Sequence, residues 1–336
     1  MLYIRTDMND IMATGHMMRC LSIADAAKRI GEDSTFLLSD YQAVELIEER
    51  GYHFIVLNTK WDCLEKELDI LQELIQKYRI KKILVDSYQV TYQYLESLSR
   101  YVKIIYIDDL NLFVYPVDTL ICYMNYWKKF NYETIYRQTK LLLGTKYTPV
   151  RECYKNCGKK NIRPKIENLL LMSGGTDHFN LLEKILEKIQ KEKYIRIDVI
   201  CGRYYNHYEL LRQRYKQCHN VFFYKAVKNI EHYMFQADMA ISAGGTTLYE
   251  LCACGTPTIS YSFADNQKNN VFQFQDDGII DYAGDIRESD VVEMIVSYLE
   301  KYYDRPDLRA ERSEKMQGCV DGKGSERIAR MLSGEE

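Results

Sequence analysis

A glycine pair, two threonines and a glutamate stand together in the segment Ile241-Ser-Ala-Gly-Gly-Thr-Thr-Leu-Tyr-Glu250. The apolar run before Gly244 and Gly245 predicts a strand, and the residues that follow predict a helix beginning near Thr246 and Thr247. Glycines at such a turn allow close backbone approach, and the free amides and positive dipole of a helix start bind phosphate oxygens well. Glu250, one turn further on, is placed to accept hydrogen bonds from two ribose hydroxyls, as an acidic residue further along the chain does in dinucleotide folds. The segment therefore favours a nucleotide diphosphate, although a glycine turn that simply ends a buried strand has the same pattern.

A histidine follows a glycine in the loop after the first predicted strand. Gly15 permits a sharp entry into a helix predicted over residues 21–30, and His16 lies at or near its start. The positive end of a helix dipole disfavours the imidazolium and keeps the ring neutral, which is the form a general base requires. A lone histidine in a loop is more often structural or merely exposed, so His16 is a candidate base that needs support from other residues.

Two further loops after predicted strands carry small, hydroxylated or amide side chains. The first enters a helix predicted to begin near His178, and its glycine pair forms a second anion-binding turn. Amide side chains in the other loop offer both donors and acceptors to a polar ligand, but they are equally typical of helix caps. The candidates in these two loops are Ser173, Gly174, Gly175, Thr176, Asn266 and Gln267.

Carboxylates end two neighbouring strands of the first half. Asp86 precedes Tyr88 at the end of one predicted strand, and Asp108 and Asp109 end the next. Paired carboxylates suggest acid and base roles or a divalent ion, whereas Asp109 alone is as typical of a cap or of a bond to a backbone amide. The chain has no Cys-x-x-Cys motif and no histidine pair at helical spacing, so we expect no structural metal.

Short aliphatic or β-branched runs alternate with longer amphipathic ones, and this alternation predicts parallel sheets with helices on both faces. The pattern occurs twice, on either side of a polar, Lys- and Arg-rich stretch at residues 151–165 that is typical of a linker. We therefore predict a domain over residues 1–150 and a second over residues 166–336, with ligands bound beyond the carboxyl ends of the strands. The predicted strands span residues 2–5, 35–38, 53–57, 82–86, 103–107 and 119–122, then 168–172, 195–200, 221–223, 239–242 and 258–261.

Composition limits the classes of function. Of 336 residues, 46% are hydrophobic and 28% charged, and the formal net charge of −3 gives no basic footprint for nucleic acid. No apolar run approaches the roughly 20 residues of a membrane helix, and the amino terminus enters a strand at once, so we expect neither secretion nor integral membrane contact. The ten cysteines are spread through core-like segments, which favours a reduced, cytoplasmic compartment.

Taken together, several segments give the chain a family resemblance. It resembles the UDP-sugar hydrolases of pseudaminic acid biosynthesis, the PseG family, and more distantly the MurG-like GT-B superfamily. The resemblance extends over nearly the whole chain. Its most specific parts are Gly15-His-Met-Met-Arg-Cys-Leu21, Val85-Asp-Ser-Tyr88, Ile107-Asp-Asp-Leu110, Tyr115-Pro-Val-Asp118, Leu142-Leu-Gly-Thr-Lys-Tyr147, Gly244-Gly-Thr-Thr-Leu-Tyr-Glu250 and Ala264-Asp-Asn-Gln267.

The resemblance implies a GT-B-like α/β fold, in which two Rossmann-like doubly wound domains face a cleft and the second domain binds UDP. The implied reaction is hydrolysis of UDP-2,4-diacetamido-2,4,6-trideoxy-β-L-altropyranose without metal or cofactor, by inverting attack of water at the anomeric carbon. His16 would activate the water and Tyr88 would lie near the sugar. In the second domain, Gly244 to Thr247 would hold the diphosphate and Glu250 the ribose. The sugar-diphosphate pocket would be lined by Ser173, Gly174, Gly175 and Thr176, with Asn266 and Gln267 on the sugar or phosphate side.

Two rival functions stay open. A MurG-like glycosyltransferase uses the same nucleotide loops, although no apolar, basic patch for a membrane-bound acceptor is evident in the first domain. A sugar-nucleotide-binding protein without turnover is the other rival. The chain also departs from the family pattern at Ala13, where the family often has glycine, and this affects the expected geometry of the His16 loop.

Overall fold

The computed structural model describes residues 1–9, 14–174, 177–202 and 205–334. The chain divides into two compact units. The first consists of Met1–Glu152 with Lys323–Glu336, and the second of Cys153–Gly322. Each unit is an α/β domain with its own parallel sheet, as the alternating sequence pattern predicts.

The first unit is built on a parallel sheet, seven-stranded within the described residues, in which the strands Leu2–Thr6 and Ser34–Leu38 are buried along their whole length. Its strands are β1 (Leu2–Thr6), β2 (Ser34–Leu38), β3 (His53–Val56), β4 (Lys82–Asp86), β5 (Lys103–Ile107), β6 (Thr119–Cys122) and β7 (Lys140–Leu143). Its helices up to the end of β7 are α1 (Gly15–Arg29), α2 (Val44–Glu49), α3 (Leu68–Tyr78), α4 (Tyr92–Ser99) and α5 (Tyr132–Ile135). The strand order is β3-β2-β1-β4-β5-β6-β7.

The second unit repeats the plan with a sheet that is six-stranded over its described part. Its strands are β8 (Asn168–Met172), β9 (Arg196–Cys201), β10 (Val221–Lys225), β11 (Met239–Ala243), β12 (Thr258–Ser262) and β13 (Asp281–Asp285). Its helices are α6 (Leu181–Lys188), α7 (Tyr208–Arg214), α8 (Ile230–Gln236), α9 (Thr247–Cys254), α10 (Asp265–Asp276), α11 (Val291–Tyr302) and α12 (Pro306–Cys319). The strand order is β10-β9-β8-β11-β12-β13.

The last helix, α13 (Gly324–Ser333), belongs to the first unit, whereas the sequence pattern placed it in the second domain. Its Ala329 packs with Ala26 and Ala27 of α1 in a small apolar cluster. The Ser325 hydroxyl donates a hydrogen bond to the Val150 carbonyl at 2.8 Å. Small side chains on both helices permit this close packing, and such pairing between distant segments leaves no local mark in the sequence.

Each sheet has a switch point, where strand order reverses and the loops after two neighbouring strands diverge to opposite faces. In the first unit this point lies between β1 and β4, and in the second it lies between β8 and β11. Ligands of open parallel sheets bind at such points, beyond the carboxyl ends of the strands. The fold therefore defines one place in each unit where functional side chains are expected.

The predicted strands are all present, with ends that differ by at most two residues, but the edge strands β7 and β13 were not predicted. Two helix starts were also placed wrongly. α1 begins at Gly15, six residues before the predicted residue 21, and α6 begins at Leu181 rather than near His178. Asp177 explains the second difference, because its carboxylate accepts hydrogen bonds from the Leu181 and Leu182 amides at 2.8 and 3.1 Å.

Candidate functional site

Arg19 gathers the carboxyl ends of three strands in the first unit. Its Nε donates to Oδ2 of Asp86 at 2.6 Å, and its Nη2 donates to the other oxygen of the same carboxylate. Its Nη1 donates to the Tyr123 hydroxyl at 2.8 Å and lies 3.4 Å from Oδ2 of Asp109. Asp86 ends β4, and Asp109 and Tyr123 follow β5 and β6. One buried guanidinium thus fixes the loops that surround the first switch point.

The bidentate bond keeps Asp86 ionised. Burial alone would raise the pKa of this carboxyl, but the Arg19 guanidinium and then His16 outweigh burial and hold its pKa well below its usual range. Asp86 therefore carries its charge at neutral pH.

His16 and Asp86 form a hydrogen-bonded pair at the same switch point. Nδ1 of His16 lies 2.6 Å from Oδ1 of Asp86, and only 7% of the histidine side chain is exposed. An ionised carboxylate at this distance requires a proton on Nδ1, since two lone pairs would repel each other. Nη2 of Arg19 also lies 2.9 Å from Nδ1, which follows from both groups donating to the same Oδ1. The network therefore assigns the tautomer that leaves Nε2 as an acceptor, the arrangement of an oriented general base.

Tyr88 packs against the edge of the His16 ring. The two rings are T-shaped, with centroids 4.5 Å apart, and the Tyr88 hydroxyl donates to Oδ2 of Asp109 at 2.8 Å. Burial raises the pKa of Asp109, and the neighbouring Arg19 does not fully offset it. Within the described residues, Oδ1 of Asp109 is buried without a hydrogen-bond partner. Tyr88 is thus brought to His16 as predicted, and Asp109 is the group that holds it.

The two neighbouring carboxylates, Asp108 and Asp109, have different roles. Asp108 accepts hydrogen bonds from the Leu110 and Asn111 amides at 3.0 and 3.1 Å and from the Tyr115 hydroxyl at 2.9 Å. It is Asp108, not Asp109, that binds backbone amides. The sequence left a bond to a backbone amide open for Asp109, whereas the fold shows that Asp109 faces Arg19.

A second buried ion network fixes the end of β1, from which the chain leads towards His16. Arg5 is fully buried, and its Nε and Nη2 each donate to Glu67 at 2.8 Å. Its Nη1 donates to Asp7 at 2.5 Å, and Asp7 in turn accepts from the Ser39 amide at 2.8 Å. Such a network orients the strand end because each buried charge has a partner. Gly15 shows no comparable constraint, because an added Cβ would meet nothing within 4 Å.

In the second unit, the loops after β8 and β11 meet at the switch point. Gly174 has φ of +80°, a left-handed conformation that favours glycine, and a Cβ on it would lie 4.0 Å from Cβ of Ala243. Ser173 is 1% exposed, and its hydroxyl has no hydrogen-bond partner in the part of the chain that the structure describes. A buried hydroxyl without a hydrogen-bond partner is unusual, and it marks a place where a ligand atom would supply the missing hydrogen bond. The predicted Gly175 and Thr176, and Ala13 in the first unit, lie outside the described residues.

Gly244 and Gly245 differ in what they contribute. Neither glycine has a positive φ. The sharp turn expected from the pair therefore does not explain why glycine occupies these two positions. A Cβ on Gly244 would lie 2.3 Å from Cγ1 of Val271 in α10, whereas a Cβ on Gly245 would meet nothing within 4 Å. Asn270 of α10 donates to the Gly244 carbonyl at 3.0 Å. Gly244 therefore permits close helix packing, and Gly245 leaves the surface open.

The helix expected after the glycines is α9, which begins at Thr247 with Thr246 as the preceding residue. In its first turn, the Leu248 and Tyr249 amides donate to the Gly245 and Thr246 carbonyls at 3.2 and 3.0 Å, and the dipole of the helix favours an anion at this end. Glu250 lies within the first turn and is partly buried. Gln267 of α10 accepts a hydrogen bond from the Phe263 amide at 3.1 Å, while Asn266 is exposed. Gln267 therefore supports the loop after β12 and does not cap α10, whose N-cap residue Ala264 has no side-chain cap hydrogen bond.

The described residues contain neither a cluster of metal-binding side chains nor a membrane-spanning helix. Over residues 1–9, 14–174, 177–202 and 205–334, no group of three or more His, Cys, Asp and Glu side chains is arranged to hold a metal ion. In the same ranges, none of the helices combines the length and apolarity that crossing a membrane requires.

The two parallel-sheet, Rossmann-like units define the GT-B fold class. Residues 169–328 match the model of the glycosyltransferase family 28 C-terminal domain. The match covers most of the second unit, and together with the fold it shows a similarity to the MurG-like GT-B superfamily.

Curated proteins are similar to parts of the chain at 25 to 32% identity. The chain is 25% identical over 270 residues to an uncharacterised protein of Methanocaldococcus jannaschii, an alignment that covers 76% of this chain and 54% of that protein. It is 26% identical over 197 residues to the spore coat polysaccharide biosynthesis protein SpsG of Bacillus subtilis, covering 57% and 56%. The chain thus spans about half the length of these two relatives. A Campylobacter jejuni UDP-N-acetylglucosamine–N-acetylmuramyl-(pentapeptide) pyrophosphoryl-undecaprenol N-acetylglucosamine transferase is 32% identical over 117 residues, 33% of each chain.

Solved structures match over nearly the whole length. MurG of Acinetobacter baumannii has a TM-score of 0.69 at 10% identity, with 99% of each chain covered. The UDP-GlcNAc 2-epimerase of Neisseria meningitidis bound to UDP-GlcNAc also has a TM-score of 0.69 at 10% identity, covering 99% of this chain and 100% of that one. At these identities the likeness establishes the fold alone.

Proposed function

We propose that this protein is a UDP-sugar hydrolase that converts UDP-2,4-diacetamido-2,4,6-trideoxy-β-L-altropyranose to UDP and the free sugar. The observation that carries the proposal is the His16–Asp86 pair, which directs Nδ1 of His16 at Asp86 and leaves Nε2 as the proton acceptor. Only 7% of the His16 side chain is exposed and the Tyr88 ring packs against it, which supports a water molecule rather than a bulky acceptor as the nucleophile. The substrate follows from the resemblance to the pseudaminic acid pathway enzymes.

In this mechanism, Nε2 of His16 takes a proton from water as the water oxygen bonds to the anomeric carbon. The bond from that carbon to the phosphate oxygen breaks, the configuration inverts, and UDP leaves with the electron pair. Asp86 stabilises the imidazolium that forms, and Arg19 keeps Asp86 charged and in place. Asp109 positions Tyr88 beside the ring through its hydrogen bond.

The second unit binds the nucleotide in this proposal. The amides at the start of α9, with Gly244, Gly245, Thr246 and Thr247, hold the diphosphate and stabilise its charge as UDP leaves. Glu250 accepts hydrogen bonds from the ribose hydroxyls. The unpartnered Ser173 hydroxyl supports a ligand-facing role for the segment Ser173 to Thr176, and Asn266 and Gln267 lie on the sugar or phosphate side. Neither metal nor cofactor takes part.

A MurG-like glycosyltransferase is the second candidate. It is favoured by the family 28 match and by the curated transferases similar to one third of the chain. Leu112 and Val114 of the first unit are 62% and 55% exposed, and their apolar side chains would also suit contact with an acceptor. A transferase would use the same base to activate an acceptor hydroxyl in place of water.

The test is incubation with candidate UDP-diacetamido sugars in ¹⁸O-labelled water and excess chelator, with UDP and free sugar measured by mass spectrometry. We expect both products without any acceptor, with ¹⁸O at the anomeric hydroxyl of the sugar and none in UDP. UDP release only when an acceptor is added would establish the transferase. Ligand binding without release of UDP would establish a sugar-nucleotide-binding protein.

A further inference from the structure

Asn270 is a buried polar residue of α10 that contacts the glycine loop after β11. It is 4% exposed, and its Nδ2 donates to the Gly244 carbonyl at 3.0 Å and to the Gly245 carbonyl at 3.4 Å. Its Oδ1 accepts a hydrogen bond from the Tyr249 hydroxyl of α9 at 2.7 Å. One side chain of α10 therefore joins the glycine loop to the helix that follows it.

The neighbours of the Asn270 amide group fix its orientation. Both backbone carbonyls can only accept hydrogen bonds, so the nitrogen of the side chain, and not its oxygen, has to face them. The Tyr249 hydroxyl can donate, and it lies on the oxygen side. Tyr249 is itself fully buried and packs against Phe274 of α10, with ring centroids 5.1 Å apart. Asn270 is therefore held with its donor group towards the glycine loop.

Gly244 brings the loop close enough to α10 for this contact. Gln267, Asn270 and Val271 lie on one face of the helix, at spacings of three and four residues. A Cβ on Gly244 would lie 2.3 Å from Cγ1 of Val271 and 3.4 Å from Cβ of Gln267. The Gly244 amide also donates to the Tyr261 carbonyl at the end of β12 at 2.8 Å. The backbone at Gly244 is thus held between β12 and α10, and a larger residue would separate its carbonyl from Asn270.

The two carbonyl contacts determine where the next two backbone amides point. The peptide bonds of the described residues are all trans, and the C=O and N–H groups of a trans peptide point in opposite directions. Because the Gly244 and Gly245 carbonyls are directed at Asn270, the Gly245 and Thr246 amides face away from α10. Gly245 is partly exposed and Thr246 is exposed, so this is the open side of the loop. Successive amides that point to one side of a turn form a concave site for an anion.

We propose that Asn270 is a positioning residue that presents the Gly245 and Thr246 amides to the phosphate oxygens of a nucleoside diphosphate. This role rests on the proposed function, in which the loop holds the diphosphate. Asn270 acts through two peptide planes and does not touch the ligand. Without its donor, the Gly245 carbonyl keeps the bond from the Leu248 amide at 3.2 Å, so the Gly244–Gly245 peptide is the plane that rotates most. Its amide then turns away from the phosphate, while the nucleoside part of the ligand is unaffected.

Asn270→Asp tests this role by replacing Nδ2 with an oxygen in a side chain of the same shape. The new oxygen repels the two carbonyls, whereas the acceptor for the Tyr249 hydroxyl is retained. Asn269→Asp is the matched control, because it makes the same chemical change at the adjacent, exposed position of α10. The Kd for UDP is measured by calorimetry and the Kd for uridine by ligand-observed NMR. In Asn270→Asp we expect the Kd for UDP to rise by at least about tenfold and the Kd for uridine to stay within about twofold of the wild type. In Asn269→Asp we expect both constants to stay within about twofold.

The comparison of UDP with uridine separates positioning from loss of structure, since an unfolded second unit binds neither. If Asn270→Asp does not fold, Asn270→Ala removes the donor without adding a buried charge, and we expect the same selective loss of UDP affinity. An unchanged Kd for UDP in the Asn270 variants, an equal rise in the Kd for uridine, or the same rise in Asn269→Asp would overturn the proposal while the wild type still binds UDP as the proposed function requires. A wild type that binds UDP no more tightly than uridine would instead remove the diphosphate from this loop, and with it both the role of Asn270 and the proposed function.

Discussion

Oδ1 of Asp86 accepts a hydrogen bond from Nδ1 of His16 at 2.6 Å, while the same carboxylate is held on both oxygens by Arg19. One carboxylate thus sets the tautomer of the candidate base, and one guanidinium sets the position and charge of that carboxylate. Four of the five predictions below depend on this arrangement, and the other concerns the two glycines of the second unit.

Replacing Asp86 with asparagine should impair the base without removing it. An amide no longer requires a proton on Nδ1 of His16, so the population with a free Nε2 falls, and the developing imidazolium loses its counter-charge. We expect kcat to drop on the order of 10²- to 10⁴-fold, with little change in the Kd for UDP. Cys20→Ala is the control, because Cys20 contacts the other oxygen of Asp86 at 3.4 Å without touching the His16 bond. Equal kcat values for Asp86→Asn and Cys20→Ala would contradict the orienting role.

Replacing Arg19 with methionine should destabilise the first unit strongly. The change leaves Asp86 and Asp109 buried without their cation, and breaking a buried ion pair in this way costs about 3–5 kcal/mol. Arg100→Met is the matched control, because the Arg100–Glu96 pair is exposed and such pairs contribute about 0–1 kcal/mol. Urea unfolding measures both free energies of unfolding. Similar losses in the two variants would show that Arg19 does not hold the buried carboxylates.

Stability should depend on pH through Asp86. Its pKa is lower in the folded protein than in the unfolded chain, so its contribution is complete above the unfolded value of about 3.9 and is lost as pH falls below it. The difference in free energy of unfolding between the wild type and Asp86→Asn should therefore be constant from neutral pH to about pH 5 and shrink in more acidic solution. A difference that stays constant below pH 4 would mean that Asp86 titrates normally.

The two glycines of the second unit should respond differently to alanine. Gly244→Ala forces a Cβ against Val271 and should destabilise the protein by about 1–3 kcal/mol. Gly245→Ala meets open space, so its Tm should stay near that of the wild type, but a methyl group there would obstruct a bound diphosphate. We expect its Kd for UDP to rise by at least about tenfold, a loss of about 1.4 kcal/mol. An unchanged Kd in Gly245→Ala would exclude close approach of the diphosphate to this residue.

Much of the fold follows from the sequence because buried parallel strands are continuous apolar runs. Lys82–Asp86, Lys103–Ile107 and Thr119–Cys122 were predicted with the bounds that the structure shows. β13 was not predicted, because its sequence Asp281-Tyr-Ala-Gly-Asp285 contains residues that are depleted in strands, and its place at the sheet edge tolerates them. The four-residue β7 is similarly short and lies at the other sheet's edge.

The site was only partly predictable. His16 and Tyr88 were singled out because they follow strands, and strand ends converge in parallel sheets. Arg19 was missed, although it lies three residues after His16 and so on the same helical face, because its partners come from three distant strand ends. The signal available in the sequence was a basic residue with Met17 and Met18 before it and Cys20 and Leu21 after it, since a basic residue has to be paired when it is buried.

The central claim is that His16 acts as the base in the chemical step while the nucleotide is bound by other residues. It is tested most directly by measuring kcat for UDP-sugar hydrolysis and Kd for UDP in His16→Gln beside the wild type. We predict a fall in kcat on the order of 10²- to 10⁴-fold with a Kd for UDP within about twofold of the wild type. An unchanged kcat, or a loss of activity matched by an equal loss of UDP affinity, would contradict the claim.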